Sequence, residues 1–208
     1  MEETISDLKL EESDTIEEDK VLLNRSWTFW ENYEAKNKDK SYLIKEIYTF
    51  DNIISFWQFW NRYPGNDTKA IFYNGEYMKY FFKEKYRISA INLFQKGIRP
   101  EWEDDRNKNG YTLMLEYIVK DNIEQFYTLV TEKWVKLMCF LIGETIPYSN
   151  NINGIRFVDK TKFGYNKSIV FRFEIWVDSS IKENEVDELK KKLSTEFGCM
   201  ATVKSNKK

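Results

Sequence analysis

Along the chain, stretches that alternate apolar with polar residues give way to stretches whose apolar positions recur every three or four. Arg25-Ser-Trp-Thr-Phe-Trp30 sets Trp27 and Phe29 against Thr28 and Trp30, a strand pattern that opens the ordered part of the chain near Val21. The polar run Lys36-Asn-Lys-Asp-Lys40 separates it from a second predicted strand, Tyr42 to Tyr48. Thr49 or Asp51 is then placed to cap a helix over about Asn52 to Arg62, which Pro64-Gly65 ends. Tyr111 to Val119 predicts a strand, and Asp121 or Asn122 caps a long helix that stops at Gly143. Ile155 to Phe163 and Ser168 to Val177 predict a hairpin around Gly164-Tyr-Asn-Lys167. Val186, Leu189, Leu193 and Phe197 mark a third helix with Gly198 as its C-cap, and Met200 to Val203 a short last strand.

Two of these helices carry more apolar surface than one buried stripe requires. In the first, Ile53, Trp57 and Trp60 form one stripe and Phe56, Phe59 and Tyr63 a second. In the long helix, Ile123, Phe126, Val130, Trp134, Leu137 and Leu141 form a core stripe, with Val135, Cys139 and Ile142 beside it. A surface helix of one domain normally buries a single stripe, so the second predicts either burial on both sides or a face for a partner. Three helices and about seven or eight antiparallel strands make an α+β fold, a sheet covered on one face by helices with the other face free to bind.

Length and charge narrow this. A chain of 208 residues suits one large domain, here residues 21–203. Residues 1–20, with nine acids and two lysines, read as a disordered acidic tail, and 204–208 as a basic tail. Net charge is −2, so any nucleic-acid contact needs a local basic patch. The predicted hairpin supplies one with Arg156, Lys160, Lys162, Lys167 and Arg172. Residues 66–92 interleave aromatics with lysines, and Ile71 to Tyr86 predicts partial helix. Such a mixture suits single-stranded nucleic acid or a packed excursion with a solvated lysine face. No apolar run is long enough for a membrane span, and the acidic N-terminus lacks a signal peptide's pattern. With only Cys139 and Cys199, a reducing, cytoplasmic location is expected. Histidine is absent altogether, which removes the commonest general base and zinc ligand; neither metal nor cofactor is expected.

The most distinctive stretch is Gly97-Ile-Arg-Pro-Glu-Trp-Glu-Asp-Asp-Arg-Asn-Lys-Asn-Gly110. Its glycines and proline make it a loop, yet it carries Trp102 among Glu101, Glu103, Asp104 and Asp105. An indole offers its face to a cation, and a carboxylate beside it offers two acceptors to a pair of N–H donors. Together they suit a flat cationic heterocycle that donates hydrogen bonds from one edge. Adjacent carboxylates without a positioned partner do not make a hydrolase, so a binding protein is expected and not an enzyme.

With Ser26-Trp-Thr-Phe-Trp30, Ile47-Tyr-Thr-Phe50, Phe56-Trp57, Leu141-Ile-Gly-Glu144 and Ile175-Trp176 in order, this loop resembles that of the mRNA cap-binding translation initiation factor 4E family. The resemblance runs over about residues 21–203 and implies a curved antiparallel sheet with three long helices on its convex side. It implies that the concave face binds the 7-methylguanosine cap. Trp102 and Tyr42 would sandwich the base, with Tyr33 or an aromatic of residues 66–92 as alternatives to Tyr42. Glu103 would accept from the guanine N1–H and 2-amino group, the Trp102 backbone N–H would meet O6, and Trp176 would lie against the methyl group. Lys160 and Arg172 match the cap-phosphate cations, with Lys162 and Lys167 in reserve. Trp57, with Ile53, Val135 and Cys139, matches the surface that receives a Y-x-x-x-x-L-Φ helix of an initiation scaffold or a repressor. The partners expected are thus capped mRNA and such a protein, around a monomer. A cap-binding repressor, or an interaction module that has lost cap binding, are the alternatives. Residues 66–92 contain an insertion relative to the family, expected to take over part of the work of the family's C-terminal loop near the cap.

Overall fold

A computed structural model describes residues 21–35, 42–72, 86–119, 122–161 and 168–207. Seven antiparallel strands form one sheet in the order β2-β1-β3-β5-β6-β4-β7. They are β1 (Leu22–Ala35), β2 (Tyr42–Asn52), β3 (Tyr86–Gln95), β4 (Tyr111–Ile118), β5 (Ile152–Asp159), β6 (Val170–Val177) and β7 (Thr202–Ser205). The helices are α1 (Ile53–Arg62), a single turn α2 (Thr68–Ile71), α3 (Ile123–Ile142) and α4 (Glu183–Phe197). Register shifts in β1 at Phe29/Trp30 and Asn32/Tyr33 bend the sheet.

One sheet face is apolar and carries the helices. Trp27, Phe29, Ile91, Leu93, Ile155, Phe157, Phe173 and Ile175 meet Phe56, Trp60, Val130, Trp134, Leu137 and Leu189 there in one core. The opposite face carries a much smaller apolar group, Trp30, Phe94, Ile98 and Trp176 with Ile44 against it, and beside it the polar and charged Asn32, Asn92, Arg156, Arg172 and Glu174. The sheet's strand alternation thus separates a packing face from a face open to a ligand.

Several sequence expectations change. Residues 86–92, read with the inserted segment, are most of β3, which pairs with both β1 and β5 in the middle of the sheet. Strand β2 continues through Thr49 and Asp51, so neither caps α1; Asn52 does, accepting from the Ser55 N–H at 2.8 Å. Asn122 caps α3 through the Glu124 and Gln125 N–H groups. In α1 the buried residues are Phe56 and Trp60, with Tyr63 just beyond, whereas Ile53 and Trp57 are half-buried. In α3, Ile123 is exposed and Ile142 is buried, which exchanges their expected places; Val135 and Cys139 stay half-buried. Lys204 and Ser205 belong to β7 rather than to a tail, and Asn206 is buried. The described start of the insertion lies on the helical face: Thr68 bonds Thr131 at 2.6 Å, and Phe72 packs on Phe157 and Phe171. Residues 73–85, and with them most of the expected excursion, fall outside the described residues, as do the acidic tail, Lys162 and Lys167.

Candidate cap-binding site

The loop from Lys96 to Gly110 stands at the end of the sheet where β3 finishes and β4 begins, and its side chains divide into two kinds. Asp104 and Asn107 turn inward and build it. Asp104 accepts from the backbone N–H groups of Arg99 (2.9 Å) and Arg106 (3.0 Å). Asn107, buried, donates to the carbonyls of Arg99 and Glu101, both at 2.8 Å, and accepts from Asn153 on β5 at 3.1 Å. Asn153 also donates to the Arg106 carbonyl, and Asn206 to that of Asn107. Gly110 is required because a Cβ there would lie 2.0 Å from the Val177 carbonyl oxygen. Short polar side chains that bond nearby backbone are the usual means of fixing a turn.

The second kind faces out. Trp102 is 39% exposed and Glu103 is exposed. Among the described residues the Glu103 carboxylate and the Trp102 backbone N–H have no hydrogen-bond partner, so one donor and a pair of acceptors stand side by side on a fixed loop. Glu101 is not part of this set, being paired with Arg99, whose guanidinium lies over Trp30.

Trp102 and Glu103 border two clefts. One, of about 320 Å³, is also lined by Tyr42, Ile44, Asn32, Ser89 and Arg156. The other, of about 500 Å³, holds Lys108, Lys204 and Lys207, and the Lys204 ammonium sits 4.8 Å from the Trp102 ring. Tyr42, 62% exposed, lines the first cleft together with Trp102. Tyr33 does not substitute for it: it is buried on the helical side and donates to Glu31. Trp176 is fully buried and borders neither cleft. Its ring is 5.2 Å from that of Trp102, tilted by 57°, and Phe94 meets its edge at 5.6 Å. It packs behind Trp102.

Down the open face runs a ladder of charge that the sequence hides. Glu174 lies between two arginines, taking Arg156 Nη1 at 3.2 Å and Arg172 Nη2 at 2.6 Å, and it also accepts from the Trp176 indole at 3.2 Å. Burial alone would raise the Glu174 carboxyl, but Arg156 and Arg172 outweigh it and hold it below the usual range. Burial likewise pushes the Arg156 guanidinium down, against the pull of Glu174. Arg172 reaches Glu116 at 3.5 Å, and Lys160 follows just past β5. Partial desolvation and repulsion from Arg172 lower the Lys160 ammonium. Glu174 in Phe-Glu-Ile-Trp cancels part of the charge of the local basic patch read in the hairpin. An acid alternating with Phe173 and Ile175 on β6 was the available signal that it shares a face with the arginines.

The outer sides of α1 and α3 present Ile53, Trp57, Val135 and Cys139, all half-buried. The Ile53 N–H bonds the Val21 carbonyl at 3.0 Å, which brings exposed Val21 and Leu22 beside the start of α1. Burial raises the Cys139 thiol. No helix among the described residues is long and apolar enough to cross a membrane, and none of their Cys, Asp and Glu side chains cluster as a metal site.

Comparison with known proteins agrees with this architecture. The family described as Eukaryotic initiation factor 4E matches residues 22–206. A eukaryotic translation initiation factor 4E of Candida albicans is 29% identical over 136 residues, 64% of this chain and 56% of that protein. The chain thus covers a little over half the length of such curated relatives. Among solved structures, Ascaris suum eIF4E-3 in complex with the m7G cap superposes with a TM-score of 0.67 at 18% identity, over 89% of this chain and 91% of that one. A schistosome eIF4E complexed with m7GpppA and 4E-BP gives 0.64 at 18% identity, over 90% and 89%. At such identity these two likenesses are of fold. The family match over nearly the whole described chain goes further: this protein belongs to the eukaryotic initiation factor 4E family.

Proposed function

We propose that the chain binds the 7-methylguanosine cap of mRNA in the cleft between Trp102 and Tyr42, and recruits a translation-initiation partner through the outer sides of α1 and α3. The observation that carries the first half is the Glu103 carboxylate and Trp102 N–H, without a partner among the described residues, held beside an exposed indole on a loop fixed by Asp104 and Asn107. Guanine methylated at N7 is cationic, presents N1–H and 2-amino donors along one edge, and carries O6 next to them. Glu103 takes the two donors, the Trp102 N–H meets O6, and the charged ring lies against the Trp102 and Tyr42 faces. Each cation–aromatic contact contributes on the order of 2 kcal/mol once water is excluded. Arg172 and Lys160 lie farther along the open face, where the triphosphate would extend. The action is binding without turnover.

For the second half, an amphipathic helix of the partner lays its apolar side over Trp57, Ile53, Val135 and Cys139, a helix-in-groove mode. Relatives of this fold have been crystallised with a cap and with a 4E-binding protein. Retention of the chain on immobilised 7-methyl-GTP, released by free 7-methyl-GTP and not by GTP, tests the cap site. Trp102→Ala and Glu103→Ala should each abolish retention; retention that survives both would refute the assignment. Loss of co-purifying partner from Trp57→Ala, with cap retention intact, tests the helical face, and the partner's identity then separates initiation from repression.

A further inference from the structure

The cap reading uses Trp102, Glu103 and Tyr42 but gives no role to the half-buried arginine in the same cleft. Arg156 borders that cleft with its side chain only 15% exposed. Two of its nitrogens are fixed: Nε donates to Asn92 at 2.9 Å and Nη1 to Glu174 at 3.2 Å. Asn92 is itself tied to Asn32 at 2.6 Å. Among the described residues Nη2 meets no acceptor, which leaves its N–H donors for a group in the cleft. The guanidinium also lies over Trp176, 5.2 Å from the ring centre, and so keeps its plane.

Register places this fork along the ligand's path. Same-face residues on a strand are about 7 Å apart. On β5, Gly154 is opposite Trp176, Arg156 is next, and Val158 is opposite Arg172, with Lys160 beyond. Arg156 therefore stands one row from the indoles and one row before the outer cations.

We propose that Arg156 is a further cap-binding residue, whose free Nη2 edge donates to the phosphate adjoining the ribose, while Arg172 and Lys160 serve the outer phosphates. The proposal rests on the cap reading and assigns Glu174 a part in it. Shared between two arginines, its carboxylate cancels one positive charge and holds the Arg156 fork in place, so the cationic base is not opposed by two unbalanced guanidinium groups.

The test is a tryptophan-fluorescence titration of the full chain with 7-methylguanosine, its 5′-monophosphate and its 5′-triphosphate. In the wild type the monophosphate should bind about ten-fold more tightly than the nucleoside, the gain of one charge-assisted contact. Arg156→Met should bind the nucleoside within about two-fold of wild type and lose that first gain, while keeping the gain from monophosphate to triphosphate. Equal loss for nucleoside and monophosphate, or an undiminished first gain, would overturn the proposal while leaving the base site standing. If the wild type binds no 7-methylguanosine, the cap reading fails and the proposal with it. Should Arg156→Met fail to fold by circular dichroism, Arg156→Lys carries the test. A point charge in place of the fork should reduce the first gain, and an undiminished gain there would overturn the proposal.

Discussion

Replacing Asn107 by alanine should dismantle the loop that displays Trp102 and Glu103. The side chain is buried and makes three hydrogen bonds, to the carbonyls of Arg99 and Glu101 and from the Asn153 amide. Asn153 keeps its bond to the Arg106 carbonyl, but the Arg99 and Glu101 carbonyls lose their Asn107 donor. At about 1 kcal/mol for each bond the loss is about 3 kcal/mol, or on the order of 10 °C in Tm for a domain of this size. The loop is tied to β5 through Asn153 and to the end of β7 through Asn206, so the loss should register in global unfolding and not only locally. Urea unfolding followed by far-UV circular dichroism measures the stability, and titration with 7-methyl-GTP at a temperature where the variant is folded measures the site. Affinity should fall by more than ten-fold even there, because an untethered Trp102 and Glu103 must be ordered on binding. Asp105→Ala is the control: its side chain is on the surface and pairs only with Lys108 among the described residues, so both measurements should stay at wild type. A wild-type Tm together with wild-type affinity in Asn107→Ala would refute the view that the loop is built from inside by this residue.

Other consequences are as direct. A Cβ at Gly154 would come within 2.3 Å of the Phe94 ring, which leans on Trp176; Gly154→Ala should cost about 1–3 kcal/mol in urea unfolding and shift the tryptophan emission, and unchanged values would show that Phe94 has room to yield. Burial is outweighed by Arg156 and Arg172, which hold the folded Glu174 carboxyl below the ordinary glutamate range, so its contribution is complete above that range and disappears as pH falls through the folded value. The stability gap between wild type and Glu174→Gln should therefore be flat at neutral pH and close in acid, and a gap that widens in acid would contradict the pairing. The raised Cys139 thiol should alkylate more slowly at pH 8 than a free cysteine, and a bound Y-x-x-x-x-L-Φ peptide should slow it further; indifference to the peptide would argue against that face as the docking site.

The legibility of the chain follows from where each residue's partners lie. Strand β1 was readable because Trp27 and Phe29 alternate with residues of the other face, and α4 because its stripe and Gly198 are local signals. Strand β3 was hidden because Ser89 and Asn92 break its apolar residues at an uneven spacing, so no clean alternation shows, and because it follows a lysine- and tyrosine-rich stretch. The helix start was misplaced for a similar reason: Phe50 and Asn52 pair with Trp27 and Leu22, and that tertiary pairing extends β2 past two good capping residues. At the site, Trp102 and Glu103 stood out as an aromatic among acids in a loop. The division of labour among the loop's polar side chains did not, since Asp104 and Asn107 are distinguished only by the carbonyls and N–H groups they reach. Glu174 and Arg156 needed the register of β5 against β6 before they could be seen as one unit.

The central claim is that Trp102, Glu103 and Tyr42 select a methylated, cationic guanine. Isothermal titration of the chain with 7-methyl-GTP and with GTP at one ionic strength tests it, since the two ligands share every phosphate and differ by one methyl group and its charge. The account predicts that the methylated ligand binds at least about ten-fold more tightly, and that Trp102→Ala removes the difference. Equal affinity for the two ligands, or a preference that survives Trp102→Ala, would contradict it.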